Sequence, residues 1–417
     1  MNLFEQRESN VRYYATIFPN QFDKAEGVYL YDKDHQKFLD FFAGAGALNY
    51  GHNHQKISNS LIEYIQRGGL IHGLDLATTP KAGFLENFNE IILKPREFNY
   101  KVMFCGPTGT NAVEAALKLA RKVKKRSTIF AFSGSFHGMT LGSLTVSSSL
   151  KARKGAGVPL NDVVFMPFPS GFNEHFDTLG YIRYVLEDDH SGIERPAAMI
   201  IETIQAEGGV HLLDTSWLIE LRKLCHEFDI LLICDDIQVG CGRTGTFFSF
   251  EPAKIKPDMV VLSKSISGCG LPMSILLLDP KIDQWQPGEH NGTFRGNQLA
   301  FVSANVALDF YKDETLMNHV KEMESIVHDY ITNEILTIDE RISYRGRGLL
   351  HGIDFKAMDH TGLCEDIQKR CYKNHLIVET CGRKGTVLKL LPPLIIQKEE
   401  LMIGLEIIKD SILDLHQ

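Results

Sequence analysis

The densest concentration of reactive side chains lies in Leu231-Leu-Ile-Cys-Asp-Asp-Ile-Gln-Val-Gly-Cys-Gly-Arg-Thr-Gly245. An apolar run ends there in two carboxylates, Asp235 and Asp236, followed by Gln238 and a glycine-rich turn that holds Arg243. A lone acid at a strand end often does no more than cap the next turn or helix. Two acids, a glutamine and several glycines in one short stretch ask for more. A second signal is Met259-Val-Val-Leu-Ser-Lys-Ser-Ile-Ser-Gly268, where Lys264 directly follows a run that should be buried. Buried lysines are rare, and a desolvated amine has a lowered pKa and becomes nucleophilic. The plainer alternative is a lysine that snorkels to the rim. The third signal is Gly106-Pro-Thr-Gly-Thr-Asn111 ahead of a helical pattern. Small residues and free N–H groups at a helix N-terminus make a phosphate cup, although Thr and Asn also cap helices routinely. The Gly-Lys-Ser/Thr of a nucleotide P-loop is missing, so ATP or GTP fits poorly.

Taken together, an amine, a strand-end acid and a phosphate cup are what pyridoxal phosphate requires. Its aldehyde needs the amine, and its ring nitrogen needs a carboxylate to stay protonated. Asp235 and Lys264 are separated by one strand-to-strand crossover with its turns, which suits two groups at adjacent strand ends.

The elements that must position these groups alternate. Helical patterns cover about 55–66, 81–93, 110–125 and 216–228, and β-branched or apolar runs cover 101–105, 128–132, 163–166, 198–202, 230–235, 259–262 and 274–278. Alternation of this kind predicts βαβ units and a mainly parallel sheet buried on both faces, with ligands at the carboxyl ends of the strands. From Asn297 the pattern changes to long helices at 297–312 and 319–335, strands at 349–354 and 387–391, and a last helix over 398–415. The expected architecture is α/β, a large domain over 51–300 and a smaller α+β domain formed by 301–417 with the N-terminal segment 1–50.

Composition agrees with this reading. The 417 residues are 44% hydrophobic and 23% charged, the balance of a globular protein. The net charge of −8 gives no general attraction for nucleic acid or anionic lipid, and the basic run Arg121–Arg126 reads as a solvated helix end. No two of the eight cysteines form CxxC, which points to reduced thiols and no metal site. The N-terminus lacks a signal-peptide pattern, and no apolar run approaches membrane-spanning length. A cytoplasmic protein is expected.

The chain resembles the class III, fold-type I pyridoxal-phosphate aminotransferases over nearly its whole length. Within that class it is most similar to the subgroup that makes 2,4-diaminobutyrate, for ectoine and related routes, from aspartate 4-semialdehyde with glutamate as amino donor. The closer match rests on 40–52 (Asp-Phe-Phe-Ala-Gly-Ala-Gly-Ala-Leu-Asn-Tyr-Gly-His), 72–79, 106–116, Phe136-His-Gly-Met-Thr140 and 289–297. The resemblance implies that Lys264 carries the cofactor and moves a proton between substrate carbon and cofactor. It implies Asp235 at the ring nitrogen, Gln238 at the phenolic oxygen, Gly109 and Thr110 at the phosphate, Phe136 against the ring, and Glu207 as an acidic gate between two half-reactions. Thr293 would reach the phosphate of a neighbouring subunit, so a homodimer or a dimer of dimers is expected.

Departures from the class pattern bear on substrate. Ornithine and 4-aminobutyrate members carry arginine where this chain has Met139, and again where it has Lys389. Lysine lacks the bidentate fork of arginine, which argues against those two substrates. Arg295 offers a cation for a substrate carboxylate at the neighbouring site, and an interface salt bridge is its equally plain alternative. Lys389 would share that carboxylate work. The competing readings are another ω-aminotransferase (ornithine, acetylornithine or 4-aminobutyrate) and an isomerase on the same fold.

Overall fold

In the computed structural model, which describes residues 3–171, 175–358 and 362–416, the apolar runs of the middle of the chain form one seven-stranded sheet. Its order is Lys101–Gly106, Ser274–Leu278, Met259–Leu262, Leu231–Asp235, Ala198–Ile201, Ile129–Phe132, Val163–Met166. The strands run parallel except Ser274–Leu278, which is antiparallel to both of its neighbours. Every residue of the four strands from Ser274–Leu278 to Ala198–Ile201 is buried. That is why they read as unbroken apolar runs with no alternation.

The two faces are covered differently. Helix Gly109–Lys124 lays Ala112, Ala115, Ala116, Leu119 and Ala120 on one face, and the small side chains bring its axis close to the strands. The other face carries an aromatic-rich core that includes Phe84, Phe88, Phe132, Phe248 and Phe301. Helix ends follow their caps. Asp214 accepts from Ser216 and Trp217 N–H ahead of Thr215–Glu227, and Asn297 accepts from Ala300 N–H ahead of Gln298–Leu308. The expected helix over 297–312 is therefore shorter, ending in the 3-10 turn Asp309–Tyr311.

Two four-stranded sheets flank this body. Phe22–Glu26, Tyr29–Asp32 and Lys37–Asp40 form an antiparallel meander that is joined, parallel, by Leu376–Ile377. Ser343–Arg347, Leu350–Asp354, Val387–Leu390 and Glu379–Cys381 form a second, antiparallel sheet. Both contribute to a core with helices Thr315–Tyr330, Leu363–Lys373 and Lys398–His416. Arg243, from the glycine-rich turn, is a structural clamp. It is fully buried and donates to Leu349 O at 2.9 Å, to Asn49 Oδ1 at 2.6 Å and to Pro392 O. Burial lowers its pKa to about 9.

Candidate active site

Parallel pairing of Leu231–Asp235 with Met259–Leu262 sets Asp235 opposite Val261, so both chains leave the sheet at the same edge. Lys264 follows three residues after Val261, with φ of +52°. A non-glycine residue in the left-handed region is strained by about 1–3 kcal/mol. That strain aims the side chain back into a cavity lined by Gly109, Thr110, Phe136, His137, Gly138, Glu202, Glu207, Asp235, Ile237, Gln238, Val239 and Lys264. Burial lowers the Lys264 pKa to about 8, against Glu207, Glu379 and Asp235, which raise it. The amine is nearer to its reactive neutral form than an ordinary lysine.

Asp235 is 4% exposed. Its Oδ1 accepts from Ile237 N–H at 3.1 Å, and its Oδ2 lies 2.6 Å from His137 Nδ1. Asp236 turns away from the cavity and accepts from Ser249 N–H at 2.9 Å and from the Ser249 hydroxyl. Burial raises its pKa to about 7, against those bonds. Adjacent carboxylates thus have separate tasks.

The cup is built at the start of helix Gly109–Lys124, where Thr108 and Asn111 form a capping box. Gly109 and Thr110 are the first two helical residues, whose N–H groups have no intrahelical partner. A Cβ on Gly109 would sit 2.8 Å from Ile237 Cδ1, and one on Gly138, at φ +130°, would sit 2.6 Å from Thr110 Oγ1. The cup is therefore open only because both are glycine. Thr140 donates to Glu114 Oε1 at 2.6 Å, so the Thr110 hydroxyl, 2.6 Å from Thr140 Oγ1, is the donor in that pair. The backbone N–H of Thr110 is the donor left for an anion.

A second polar group closes the far side. Gln238 Nε2 donates to Ala45 O at 2.9 Å and to Glu207 Oε1 at 3.1 Å. Lys389, wholly buried in Val387–Leu390, donates to Glu207 Oε1 at 2.5 Å and pairs with Glu379 Oε2 at 3.0 Å. Burial acts to raise the Glu207 pKa, but Lys389 and Lys264 outweigh it and the carboxyl is lowered. Glu202 goes the other way. Burial and then the nearby Asp235 push it well above the usual carboxylate range, although it accepts from Phe136 N–H at 3.0 Å.

Of the residues expected from sequence, Gly109, Thr110, Phe136, Glu207, Asp235, Gln238 and Lys264 line one cavity, with Lys389 bonded to its wall. Thr293 and Arg295 do not line it. Thr293 is exposed, and Arg295 lies within electrostatic reach of Cys105. His137, Glu202 and Glu379 were not anticipated. His137 directly follows Phe136, and Glu202 directly follows an apolar strand, so position alone could have flagged both.

A reactive amine, a buried carboxylate locked by a histidine and an open N-terminal cup at one sheet edge define a pyridoxal-phosphate enzyme, and the donor set fits that group. The chain belongs to the class-III aminotransferase family, whose sequence model matches residues 12–412. It is 51% identical over 413 residues to the diaminobutyrate–2-oxoglutarate transaminase of Wolinella succinogenes, covering 99% of this chain and 96% of that one. It is 50% identical over 413 residues to the enzyme of the same name from Oceanobacillus iheyensis, covering 99% and 96%. The ornithine aminotransferase of Toxoplasma gondii, solved with pyridoxal phosphate at partial occupancy in its active site, is 25% identical. It superposes with a TM-score of 0.85 over 99% of this chain and 93% of that one.

Proposed function

We propose that this transaminase moves the amino group of L-glutamate to L-aspartate 4-semialdehyde, giving L-2,4-diaminobutyrate and 2-oxoglutarate. The observation that carries the reading is identity of about one half, over the full chain, to enzymes named for that reaction. Lys389 in place of an arginine supports it independently, as an ammonium grips a lone carboxylate less specifically than a guanidinium.

Bound pyridoxal phosphate supplies a cationic ring that withdraws electron density from the amine-bearing carbon of the substrate. With the cofactor bound, Lys264 Nζ would be the group that takes up and releases the proton of that carbon, a task suited to an amine whose pKa burial lowers to about 8. Asp235 holds the proton on the ring nitrogen, and His137 Nδ1–H fixes the orientation of that carboxylate. Of the residues lining the cavity, Gln238 would meet the phenolic oxygen, Phe136 would cover the ring, and the N–H groups of Gly109 and Thr110 would receive the phosphate. Glu207 covers Lys389 in one half-reaction and yields it to the glutamate carboxylate in the other.

Several further readings go with this one. The working unit is a homodimer, or a dimer of such dimers, in which Thr293 reaches the partner's phosphate and Arg295 the partner's substrate. Support comes from Phe294, 73% exposed, with Leu74 and Leu76 also exposed on the segment beside it, an apolar surface suited to a subunit contact. The chain divides into a cofactor domain over 51–300 and a small domain from 301–417 with 1–50. It works in the cytoplasm and serves ectoine-type synthesis; among the described residues no helix is long and apolar enough to cross a membrane. Comparing kcat/KM for aspartate 4-semialdehyde, glutamate 5-semialdehyde, its N-acetyl derivative and succinate semialdehyde, with glutamate as donor, tests the reading. Aspartate semialdehyde should lead by at least about tenfold, and a lead by any other acceptor would overturn it.

A further inference from the structure

One buried carboxyl at the site takes no part in the amino transfer itself. Glu379 stands directly across from Lys389 in the antiparallel pairing of Glu379–Cys381 with Val387–Leu390. Its Oε1 accepts from the Tyr14 hydroxyl at 3.2 Å, and its Oε2 lies 3.0 Å from Lys389 Nζ. The Lys389 side chain is 0% exposed and that of Glu379 5%, so water compensates neither charge. One buried ammonium therefore serves two carboxyl groups, Glu207 and Glu379. Burial raises the Glu379 pKa and Lys389 opposes that rise. With both carboxyls ionised, the trio carries one excess negative charge.

The placement of Glu207 makes that excess available to a ligand. Lys389 and Gln238 both donate to its Oε1, and no group among the described residues donates to its Oε2. Its side chain is 30% exposed and lines the cavity that holds Lys264. The acceptor left over thus faces the space that a substrate would fill. A neutral glutamate–lysine pair would draw a cation there only weakly; Glu379, by claiming part of the Lys389 charge, leaves Glu207 more negative.

We propose, resting on the diaminobutyrate reading, that the Glu207–Lys389–Glu379 trio is the receptor for the α-ammonium of the amino-acid substrate. Glu379 is a specificity-determining positioning residue that acts through Lys389. A substrate reacting at its C4 carbon keeps an α-ammonium and an α-carboxylate at the other end. The anionic gate accepts that ammonium at Glu207 Oε2. 4-Aminobutyrate has no second ammonium to meet Glu207 Oε2, forgoes that contact and is disfavoured. Discrimination thus comes from the net charge of the closed gate, and the gate still opens for glutamate by exchange of one carboxylate for another on a fixed ammonium.

The test compares diaminobutyrate with 4-aminobutyrate as amino donors to the holoenzyme, with 2-oxoglutarate as acceptor at mildly alkaline pH. Glu379→Gln should lower the ratio of their kcat/KM values by about tenfold or more, mainly through the KM for diaminobutyrate, and Glu379→Asp should restore most of it. If both substrates lose activity equally, Glu379 is only structural and the proposal is overturned. Should Glu379→Gln fail to fold, the unaltered enzyme answers the same question with 4-amino-2-hydroxybutyrate, in which a hydroxyl replaces the α-ammonium. Its KM should exceed that of diaminobutyrate by about tenfold, and equal values would overturn the proposal. Absence of any turnover of diaminobutyrate would instead overturn the functional reading beneath it.

Discussion

Asp235→Asn is the substitution whose consequence can be worked furthest from the structure. It keeps the shape of a side chain that is 4% exposed and keeps an oxygen for the Ile237 N–H. It removes the charge that would hold a proton on the cofactor ring. At an effective dielectric of about 20, opposite charges about 4 Å apart attract by ~4 kcal/mol. Deleting one preorganised electrostatic contact from an active site costs about 2.7–4 kcal/mol. Both estimates correspond to a fall in kcat of roughly a hundred- to a thousandfold. The cup at Gly109 and Thr110 and the amine of Lys264 are untouched, so the cofactor should stay bound. The assay is a single-turnover half-reaction with glutamate, followed by cofactor absorbance, beside Asp236→Asn as control. Asp236 faces Ser249 and not the cavity, so its substitution should lower the melting temperature more than the rate. A kcat for Asp235→Asn within tenfold of the parent, or an inactive Asp236→Asn with an active Asp235→Asn, would refute the reasoning.

Lys264, with its pKa lowered to about 8 by burial, should be attached to added cofactor at a rate that rises with pH to a midpoint near 8. Only the neutral amine is nucleophilic, so the rate should fall about tenfold per pH unit below that point; a midpoint near that of a free lysine would contradict the burial argument. Lys389→Met leaves Glu207 and Glu379 without their cation and should cost about 3–5 kcal/mol at neutral pH in chemical denaturation. Without the cation both carboxyls have folded pKa values above their unfolded ones, so the deficit should shrink as pH falls and they take up protons; a deficit independent of pH would contradict this. Thr293→Val should weaken cofactor retention by about ten- to a hundredfold, the worth of one hydrogen bond to a charged group, and a fully active monomer in sedimentation would contradict the shared site.

The strand-end chemistry was legible because it depends on local order alone. An apolar run that stops at Asp235, and another that stops just short of Lys264, announce two groups at one sheet edge before any packing is known. The direction of Ser274–Leu278 was not legible, since a strand buried on both faces is apolar throughout whichever way it runs. Arg243 looked like part of the site because it shares a glycine-rich turn with Asp235. It proved to be a clamp on backbone carbonyls that are distant in sequence, at Leu349 and Pro392. Glu379 was invisible for a related reason. Its meaning arises only when antiparallel pairing across the turn at 382–386 sets it opposite Lys389, since the sequence does not say which residues of the two strands face each other. His137 sits in Phe136-His-Gly138, where a turn residue and a partner for a buried carboxylate look the same until the loop folds over Asp235.

The central claim is an amino transfer from glutamate to the aldehyde carbon of aspartate 4-semialdehyde. Supplying the purified holoenzyme with 15N-labelled glutamate and unlabelled semialdehyde tests it most directly, with the product examined by NMR. The label should appear at the 4-amino nitrogen of diaminobutyrate, with one 2-oxoglutarate released for each label transferred. Label at the 2-amino nitrogen, or rearrangement of an amino-acid substrate without 2-oxoglutarate in the balance, would contradict it.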